Sequence, residues 1–395
     1  MTRVILFTGK GGVGKTTVAA ATAVRAAARG REVLVTSTDP AHSLGDALDM
    51  PLGDEPTTVA PRLQAQQIDA RTRLERRWNE IRAYLVELLA WGGVGEVEAE
   101  ELVMLPGLDE LFSLLDLRDQ VASGRYDLVA VDCAPTAETL RLLALPDAMR
   151  WYVDRMLGPG RLVARAVRPV VGRVGGVPVP EDEVFGAVEQ VHRELAEVHR
   201  VLQDPEVTSV RLVVNPERMV ISEALRTATS LSLFGYAIDA TIVNRVLPDE
   251  VVDPYLSDWK QRQKEHLETI RSSFEPVPVR TAPLLPNEIA GPDGLLELGA
   301  SLYGDDDETE VMHVQRLITV ESTDDGHVLK IALPFASKED LDLHRRGGDL
   351  HVRVGNYKRT VPLPSALQRS KVAGARLRDQ SLEVAFIPPT PTPQP

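Results

Sequence analysis

Cysteine is almost absent from this chain of 395 residues, which contains only Cys133. One cysteine excludes an internal disulfide bond and a Cys-x-x-Cys metal site within a single chain. It is also too few for an iron–sulfur reductase of the nitrogenase type, whose cluster needs two cysteines from each of two subunits. A soft metalloid such as arsenite needs several converging thiolates, so a metalloid site is disfavoured as well.

The chain also lacks a long apolar run and an excess of positive charge. No uninterrupted apolar stretch approaches the ~18 residues of a membrane-spanning helix, so we expect no integral membrane segment. The N-terminus, MTRVILFTGK, has no hydrophobic region with a cleavage site, which predicts a cytoplasmic protein. The formal net charge is −14, and an acidic body of this kind disfavours binding to nucleic acid.

A glycine-rich stretch, GKGGVGKTT, lies between an apolar strand pattern and an alanine-rich helix pattern. Gly9, Gly14, Lys15 and Thr16 satisfy the pattern G-x-x-x-x-G-K-[ST]. Glycines allow the backbone N–H groups to point at phosphate oxygens, and the following helix adds the positive end of its dipole. The sequence therefore predicts a phosphate-binding loop whose nucleotide contacts come from Gly11, Gly12, Val13, Gly14, Lys15, Thr16 and Thr17.

The two lysines of this loop are expected to have different roles. Lys15 would neutralise the β and γ phosphates of a nucleotide, and the Thr16 hydroxyl would ligate Mg²⁺. Lys10 lies on the leading arm of the loop, where its side chain would point away from the phosphates held by that loop. Because lysine is a mobile point charge, we expect Lys10 to reach a phosphate bound by another copy of the loop. A solvated surface lysine is the alternative.

Two aspartates follow apolar strand patterns and are candidates for catalysis and metal binding. Asp39, in STDPAHSLGD, could orient or deprotonate the water that attacks a γ-phosphate. Asp132, at the end of DLVAVD, could hold Mg²⁺ through a water molecule. The alternatives are a helix-capping role for Asp39 and a buried structural role for Asp132.

Apolar strand patterns alternate with helix patterns through the first 303 residues. This alternation predicts an α/β fold with a mostly parallel sheet, whose ligands bind at the carboxyl ends of the strands. Helical insertions at about 70–120 and 147–205 predict a helical subdomain beside the nucleotide site. Their apolar faces either pack against each other or line a groove for an apolar client. The strand patterns are RVILFT, EVLVTST, DLVAVD, RLVVN and AIDATIVN.

The pattern changes after Tyr303. Residues 304–313 include GDDDETE and predict an acidic linker. From 314 to 388, apolar and polar residues alternate with a period of two, which predicts a small all-β, sandwich-like domain. Residues 389–395 form a proline-rich end that we expect to be disordered.

Four motifs in order, GKGGVGKTT, STDPAHSLGD, DCAPTAETLRLLALP and TIVNRVLP followed by PLLPNEIAG, make residues 1–303 resemble one ATPase family. Its members include the arsenite-pump ATPase (ArsA) and the guided-entry (GET) targeting factor for tail-anchored membrane proteins. The resemblance implies that Lys10 crosses a homodimer interface to the partner's nucleotide. It also implies that Asp39 lies in switch I, Asp132 opens switch II, Asn244 contacts adenine and Pro283 flanks the base.

The C-terminal region is similar to the α-crystallin domain of small heat-shock proteins. The stretches VLKIALPFASKEDLDL, LHVRVGNYKRTVPLP and ARLRDQSLEVAFIP follow the strand order of that domain. The resemblance implies an appendage that is known on some bacterial members of the ATPase family.

Differences between this chain and other members of the family limit which of the family's functions we expect here. ArsA carries two ATPase halves, whereas this chain has one phosphate loop, so it is expected to form a homodimer. The cysteine pair that binds zinc in GET-type members is missing, so no zinc is expected. We therefore expect a dimeric ATPase that uses ATP and Mg²⁺ and acts on hydrophobic protein segments, with a protein client or a membrane receptor as partner. The alternatives are a partner-regulated ATPase switch and an anion-pump-type subunit, both without a hydrophobic client.

Overall fold

The computed structural model describes residues 2–39, 43–68, 108–134, 182–323 and 326–387. Its first part contains an eight-stranded sheet in the order β3-β4-β2-β5-β1-β6-β7-β8, in which only β3 runs antiparallel to its neighbour. This confirms the predicted α/β fold. The strands are β1 (Arg3–Thr8), β2 (Val33–Ser37), β3 (Thr57–Ala60), β4 (Leu63–Gln67), β5 (Leu128–Asp132), β6 (Thr208–Val214), β7 (Ile238–Val246) and β8 (Val279–Pro283).

The central strands are buried along their whole length, which explains why their sequences are mostly apolar. Every residue of β1, β2, β5 and β6 is buried. A parallel sheet is covered on both faces, so neither side of these strands meets water. The described helices around the sheet are α1 (Lys15–Ala28), α2 (Ser43–Leu48), α3 (Leu108–Ala122), α4 (Asp182–Gln203), α5 (Arg218–Phe234), α6 (Pro254–Phe274) and α7 (Gly291–Tyr303).

Helix α1 packs closely against α7 because both helices have small residues at their contact. A Cβ atom added to Gly299 of α7 would lie 2.8 Å from the carbonyl oxygen of Ala21 and 3.1 Å from Cβ of Arg25. Such distances leave no room for a side chain. Because α1 is rich in alanine, α7 can pack close against it, and so supports the helix that begins at the glycine-rich loop.

The predicted helical subdomain, about 70–120 and 147–205, lies largely outside the described residues; most of α3 and all of α4 fall within it. The tail 389–395 also lies outside them. Among the helices that the structure describes, none is long and apolar enough to span a membrane.

The C-terminal domain consists of two antiparallel sheets with a common apolar core, which confirms the predicted all-β fold. One sheet has the order β14-β15-β10-β9 and the other β11-β12-β13. Leu329, Val352 and Val384 come from both sheets and are fully or almost fully buried in this core. The strands are β9 (Ile318–Thr323), β10 (Gly326–Ala332), β11 (Leu341–Arg346), β12 (Asp349–Val354), β13 (Tyr357–Pro362), β14 (Lys371–Arg378) and β15 (Ser381–Ile387), with a short helix α8 (Ser365–Gln368).

The β-domain is attached to the C-terminal end of α5. Arg359 of β13 donates a hydrogen bond to the carbonyl oxygen of Leu233 at 2.6 Å. The rings of Phe234 and Tyr357 meet edge to face, with centroids 6.0 Å apart. Leu233 itself is part of the apolar core of the β-domain. One helix therefore belongs to the packing of both domains.

Residues 304–313, predicted as an acidic linker, are bound to the α/β domain by ion pairs. Glu308 is buried and accepts a hydrogen bond from Nε of Arg25 at 2.9 Å. Asp307 pairs with Arg31 at 3.0 Å, and Asp306 pairs with Arg280. The acidic residues of this segment thus face basic partners on α1, on the turn after it and on β8.

Candidate nucleotide-binding site

The glycine-rich loop lies at the carboxyl end of β1, and two of its glycines fit where no other residue would. A Cβ atom at Gly9 would lie 2.2 Å from the carbonyl oxygen of Val213 on β6. Gly14 has a left-handed backbone with φ 91°, and a Cβ atom there would lie 2.3 Å from Nδ2 of Asn244. The loop is therefore pressed against the ends of β6 and β7. Gly11 and Gly12 face open space.

Asn244, predicted to contact adenine, supports the loop from β7. Its Nδ2 donates to the carbonyl oxygen of Val13 at 2.9 Å, and its Oδ1 accepts from the N–H of Arg245 at 2.9 Å. The contact with adenine stays a prediction. Pro283, also predicted to lie near the base, ends β8 beside Val246 of β7.

A cluster of hydroxyl groups surrounds Asp132 at the end of β5. Thr16, on the first turn of α1, donates to Oδ2 of Asp132 at 2.8 Å, and the Ser37 hydroxyl donates to the same oxygen at 3.1 Å. The Ser43 hydroxyl lies 3.1 Å from that of Thr16. The two residues predicted to hold Mg²⁺ are thus in direct contact.

The other carboxylate oxygen of Asp132 is buried and has no hydrogen-bond partner among the described residues. An unpaired buried acceptor is costly, and a cation or its bound water would satisfy it. Hydroxyl and carboxylate oxygens are the ligands that Mg²⁺ prefers. The oxygen atoms of Thr16 and Asp132 therefore fit a Mg²⁺ ion.

The pKa of Asp132 is raised from 3.8 to about 6, chiefly because burial disfavours its charged form. The hydrogen bond from Thr16, the positive charge of Lys15 and the hydrogen bond from Ser37 oppose this shift, and the negative charge of Asp39 adds to it. The carboxyl group is therefore poised to gain a proton when no cation is near.

The two loop lysines point in different directions. Lys15 is buried, and its ammonium donates to the carbonyl oxygen of Lys10 at 3.4 Å. The Lys10 ammonium lies 3.9 Å from Oε2 of Glu223 on α5, and 36% of its side chain is exposed. Lys15 therefore lies within its own loop, whereas Lys10 extends across the surface toward α5. Thr17 follows on the first turn of α1.

Asp39 follows β2, and its N–H donates to the Ser37 hydroxyl at 3.2 Å. Because Ser37 also binds Asp132, one hydroxyl links the candidate water-orienting residue to the candidate metal ligand. Sequence reasoning did not select Ser37, Ser43 or Glu223. Ser37 is the last residue of β2 and could have been noticed, whereas Glu223 is far from the loop in sequence.

Cys133 follows Asp132 directly and is buried, as expected for a small apolar side chain at a strand end. Burial raises the pKa of its thiol well above the usual range, and the charge of Asp132 raises it further. The cysteine is therefore a neutral thiol, which is a poor ligand for a soft ion.

Two family models match the chain. The model of the anion-transporting ATPase matches residues 2–304, and the model of the HSP20-like domain found in ArsA matches residues 324–386.

Similar proteins match over nearly the full length of this chain and of their own. An arsenical pump-driving ATPase 1 of Aquifex aeolicus is 37% identical over 390 residues, which cover 96% of this chain and 98% of that protein. An arsenical pump-driving ATPase of Prosthecochloris vibrioformis is 36% identical over 387 residues, 97% and 96% of the two chains. An uncharacterized protein of Streptomyces coelicolor is 39% identical over 389 residues, 98% and 97% of the two chains. The chain therefore belongs to the ArsA family of anion-transporting ATPases and is an ATP hydrolase with an HSP20-like domain at its C-terminal end.

Proposed function

We propose that the chain is a Mg²⁺-dependent ATPase that works as a homodimer, with each ATP held between two copies. The observation that supports this most directly is that the side chains of the two loop lysines, Lys10 and Lys15, point in different directions. Lys15 is buried and bonded to the loop backbone, whereas the Lys10 ammonium lies at the surface beside Glu223. A long, mobile side chain at the surface can reach the phosphates bound by a second copy.

The proposed reaction is attack of water on the γ-phosphate of ATP. Lys15 neutralises charge on the phosphoryl oxygens, and Asp39 orients the attacking water and accepts its proton. Thr16 and Asp132 would hold Mg²⁺, which would supply further stabilisation of the negative charge on the phosphates. Lys10 from the second copy adds a positive charge only when two copies close, so hydrolysis is slow in a monomer.

Turnover measured as a function of protein concentration tests the dimer. We expect the rate per chain to rise with concentration, since Lys10 acts only between copies, and to require Mg²⁺. Lys15→Ala is the control without activity at any concentration. A rate per chain that is constant from dilute to concentrated protein, with the protein shown to be monomeric by sedimentation, would contradict the proposal.

The proposed task of ATP hydrolysis is to change the shape of a site for hydrophobic protein segments. The resemblance to the GET targeting factor supports this task, as does the HSP20-like domain, which we take as a chaperone-like module. Binding of a labelled apolar helical peptide, compared with a peptide of the same composition in scrambled order, tests it in the ATP and ADP states. Equal binding of both peptides in both states would contradict it.

An anion-pump-type subunit is the second candidate, favoured by the family description and by the names of the relatives. Arsenite itself fits poorly, because Cys133 is buried and its thiol stays neutral. Stimulation of turnover by arsenite or by another oxyanion would favour this candidate over a hydrophobic client. If neither oxyanions nor apolar peptides change turnover, a partner-regulated ATPase switch is favoured instead.

A further inference from the structure

Strand β7 contains a β-bulge where it ends beside the glycine-rich loop. Val243 pairs with Thr281 of β8, and the next pair in the ladder is Val246 with Pro283. Two residues of β7 therefore stand opposite a single residue of β8, and Asn244 is the first of the two. Bulges re-aim side chains and are common next to active sites.

The second residue of the bulge, Arg245, has a left-handed backbone. Its φ is 58°, a value that residues other than glycine rarely adopt. In this conformation the N–H of Arg245 donates to Oδ1 of Asn244 at 2.9 Å. The Asn244 amide is thereby oriented with its Nδ2 toward the loop, where it donates to the carbonyl oxygen of Val13 at 2.9 Å. The bulge thus aims the side chain that supports the loop.

Gln263 of α6 holds the bulge from the other side. Its Oε1 accepts a hydrogen bond from the N–H of Leu247 at 2.9 Å, and its Nε2 donates to the carbonyl oxygen of Arg245 at 3.4 Å. Between these two residues, the carbonyl oxygen of Val246 accepts from the N–H of Leu284, directly after β8, at 2.8 Å. Three consecutive residues are therefore each bonded to another element of the fold.

Hydrogen bonds run without a break from α6 to the loop, through Gln263, Arg245, Asn244 and Val13. Strained backbone at a binding site persists only where the surrounding structure holds it in place. We propose that Gln263 is a positioning residue for nucleotide binding, because it holds the bulge in the conformation in which Asn244 supports the loop. This role rests on the proposed nucleotide contacts of the loop, but not on the proposed dimer.

Calorimetry on the full chain with Mg²⁺ and adenylyl imidodiphosphate, an ATP analogue that is not hydrolysed, tests this role. Gln263→Ala should weaken binding about fivefold, since the bulge loses both hydrogen bonds to α6. In an Asn244→Ala background, the same substitution should change the affinity less than about twofold, because Gln263 acts through Asn244. Gln261 is the matched control: it is exposed and bonds to Glu265 of the same helix, so Gln261→Ala should leave the affinity unchanged.

Two substitutions of Arg245 test the backbone of the bulge. Arg245→Gly and Arg245→Val both remove the guanidinium group, so a difference between them reports the backbone alone. Glycine adopts the left-handed conformation freely, whereas β-branched valine disfavours it. We expect Arg245→Val to bind the analogue at least about fivefold more weakly than Arg245→Gly. Equal affinities of the two variants would overturn the proposal.

The loss caused by Gln263→Ala decides between a positioning role and a purely structural one. Equal losses with and without Asn244, or no loss in the wild-type background, would overturn the proposal. Lys15→Ala should abolish binding of the analogue. If Lys15→Ala binds it like the wild type, the nucleotide contacts of the loop fail, and the role of Gln263 fails with them. If binding is lost in Lys15→Ala but unchanged in Gln263→Ala, only the role of Gln263 fails.

Discussion

The Thr16 hydroxyl donates a 2.8 Å hydrogen bond to the carboxylate of Asp132, and so joins the first turn of α1 to the end of β5. The two residues lie 116 positions apart in the chain, and the fold brings them into direct contact. If they hold Mg²⁺ as proposed, little order would be lost on binding, because the fold already places them together.

Asp132 should make the nucleotide-free protein less stable as the pH rises. The folded protein keeps the Asp132 proton up to about pH 6, whereas the unfolded chain loses it near 3.8. Unfolding therefore releases a proton in this window, and the free energy of unfolding falls by roughly 3 kcal/mol as the pH rises through it. Asp132→Asn should remove this pH dependence and stabilise the protein at neutral pH, as measured by urea unfolding with EDTA present.

Asp258 is exposed, so Asp258→Asn is the matched control for this experiment. Its free energy of unfolding should depend on pH as that of the wild type does. An Asp132→Asn variant whose stability falls with pH as steeply as that of the wild type would show that another group is responsible.

Asn244→Ala should loosen the phosphate loop. The variant loses the hydrogen bond to the carbonyl oxygen of Val13, so we expect ATP affinity to fall about tenfold with little change in melting temperature. Inorganic tripolyphosphate tests the loop without a base, and part of the loss should appear with it. A loss confined to ATP would point to the adenine contact alone and contradict a role in supporting the loop.

Gly299→Ala should separate α7 from α1. The added methyl group would lie 2.8 Å from the carbonyl oxygen of Ala21, so we expect a loss of roughly 1–3 kcal/mol in the free energy of unfolding. Gly294→Ala on the same helix makes only ordinary contacts with Ile289 and should be neutral or slightly stabilising. Chemical denaturation of both variants gives the comparison, and equal stabilities would refute the close contact of the helices.

Asp239→Asn should destabilise the protein strongly. Asp239 is fully buried between Arg3 at 3.1 Å and Arg211 at 3.4 Å, so the variant leaves two buried guanidinium groups without their counter-charge. We expect a loss of about 3–5 kcal/mol. Asp249→Asn removes the exposed partner of Lys260 and should cost less than about 1 kcal/mol. Thermal unfolding of the two variants measures the difference, and similar losses would contradict this account.

The central strands of the sheet could be predicted from the sequence because both their faces are buried. The pattern RVILFT coincides with β1, and DLVAVD contains β5. By contrast, β4 was not predicted, because its sequence LQAQQ is mostly polar. Gln66 of this strand is nevertheless buried and donates a hydrogen bond to Asp116 at 2.5 Å. A buried strand whose residues are mostly glutamines carries no hydrophobic signal.

The loop and the aspartates could be placed because their chemistry depends on residues close in sequence or at strand ends. The partners of Lys10 and of the acidic segment could not. Glu223 lies beside Lys10 only because α5 packs next to the loop, and Glu308 meets Arg25 only because the chain returns to α1. From the sequence alone, a run of acidic residues is interpreted as a solvated linker, because its basic partners can be identified only in the folded structure.

The most direct test of the account is ATP turnover by Lys10→Ala, by Asp39→Asn and by an equimolar mixture of the two variants. Each variant alone should be inactive. In a mixed dimer, the site on the Lys10→Ala copy keeps its own Asp39 and receives Lys10 from the other copy, so the mixture should regain about a quarter of wild-type turnover. A mixture as inactive as its components, or a Lys10→Ala protein with full turnover, would contradict the action of Lys10 between two copies.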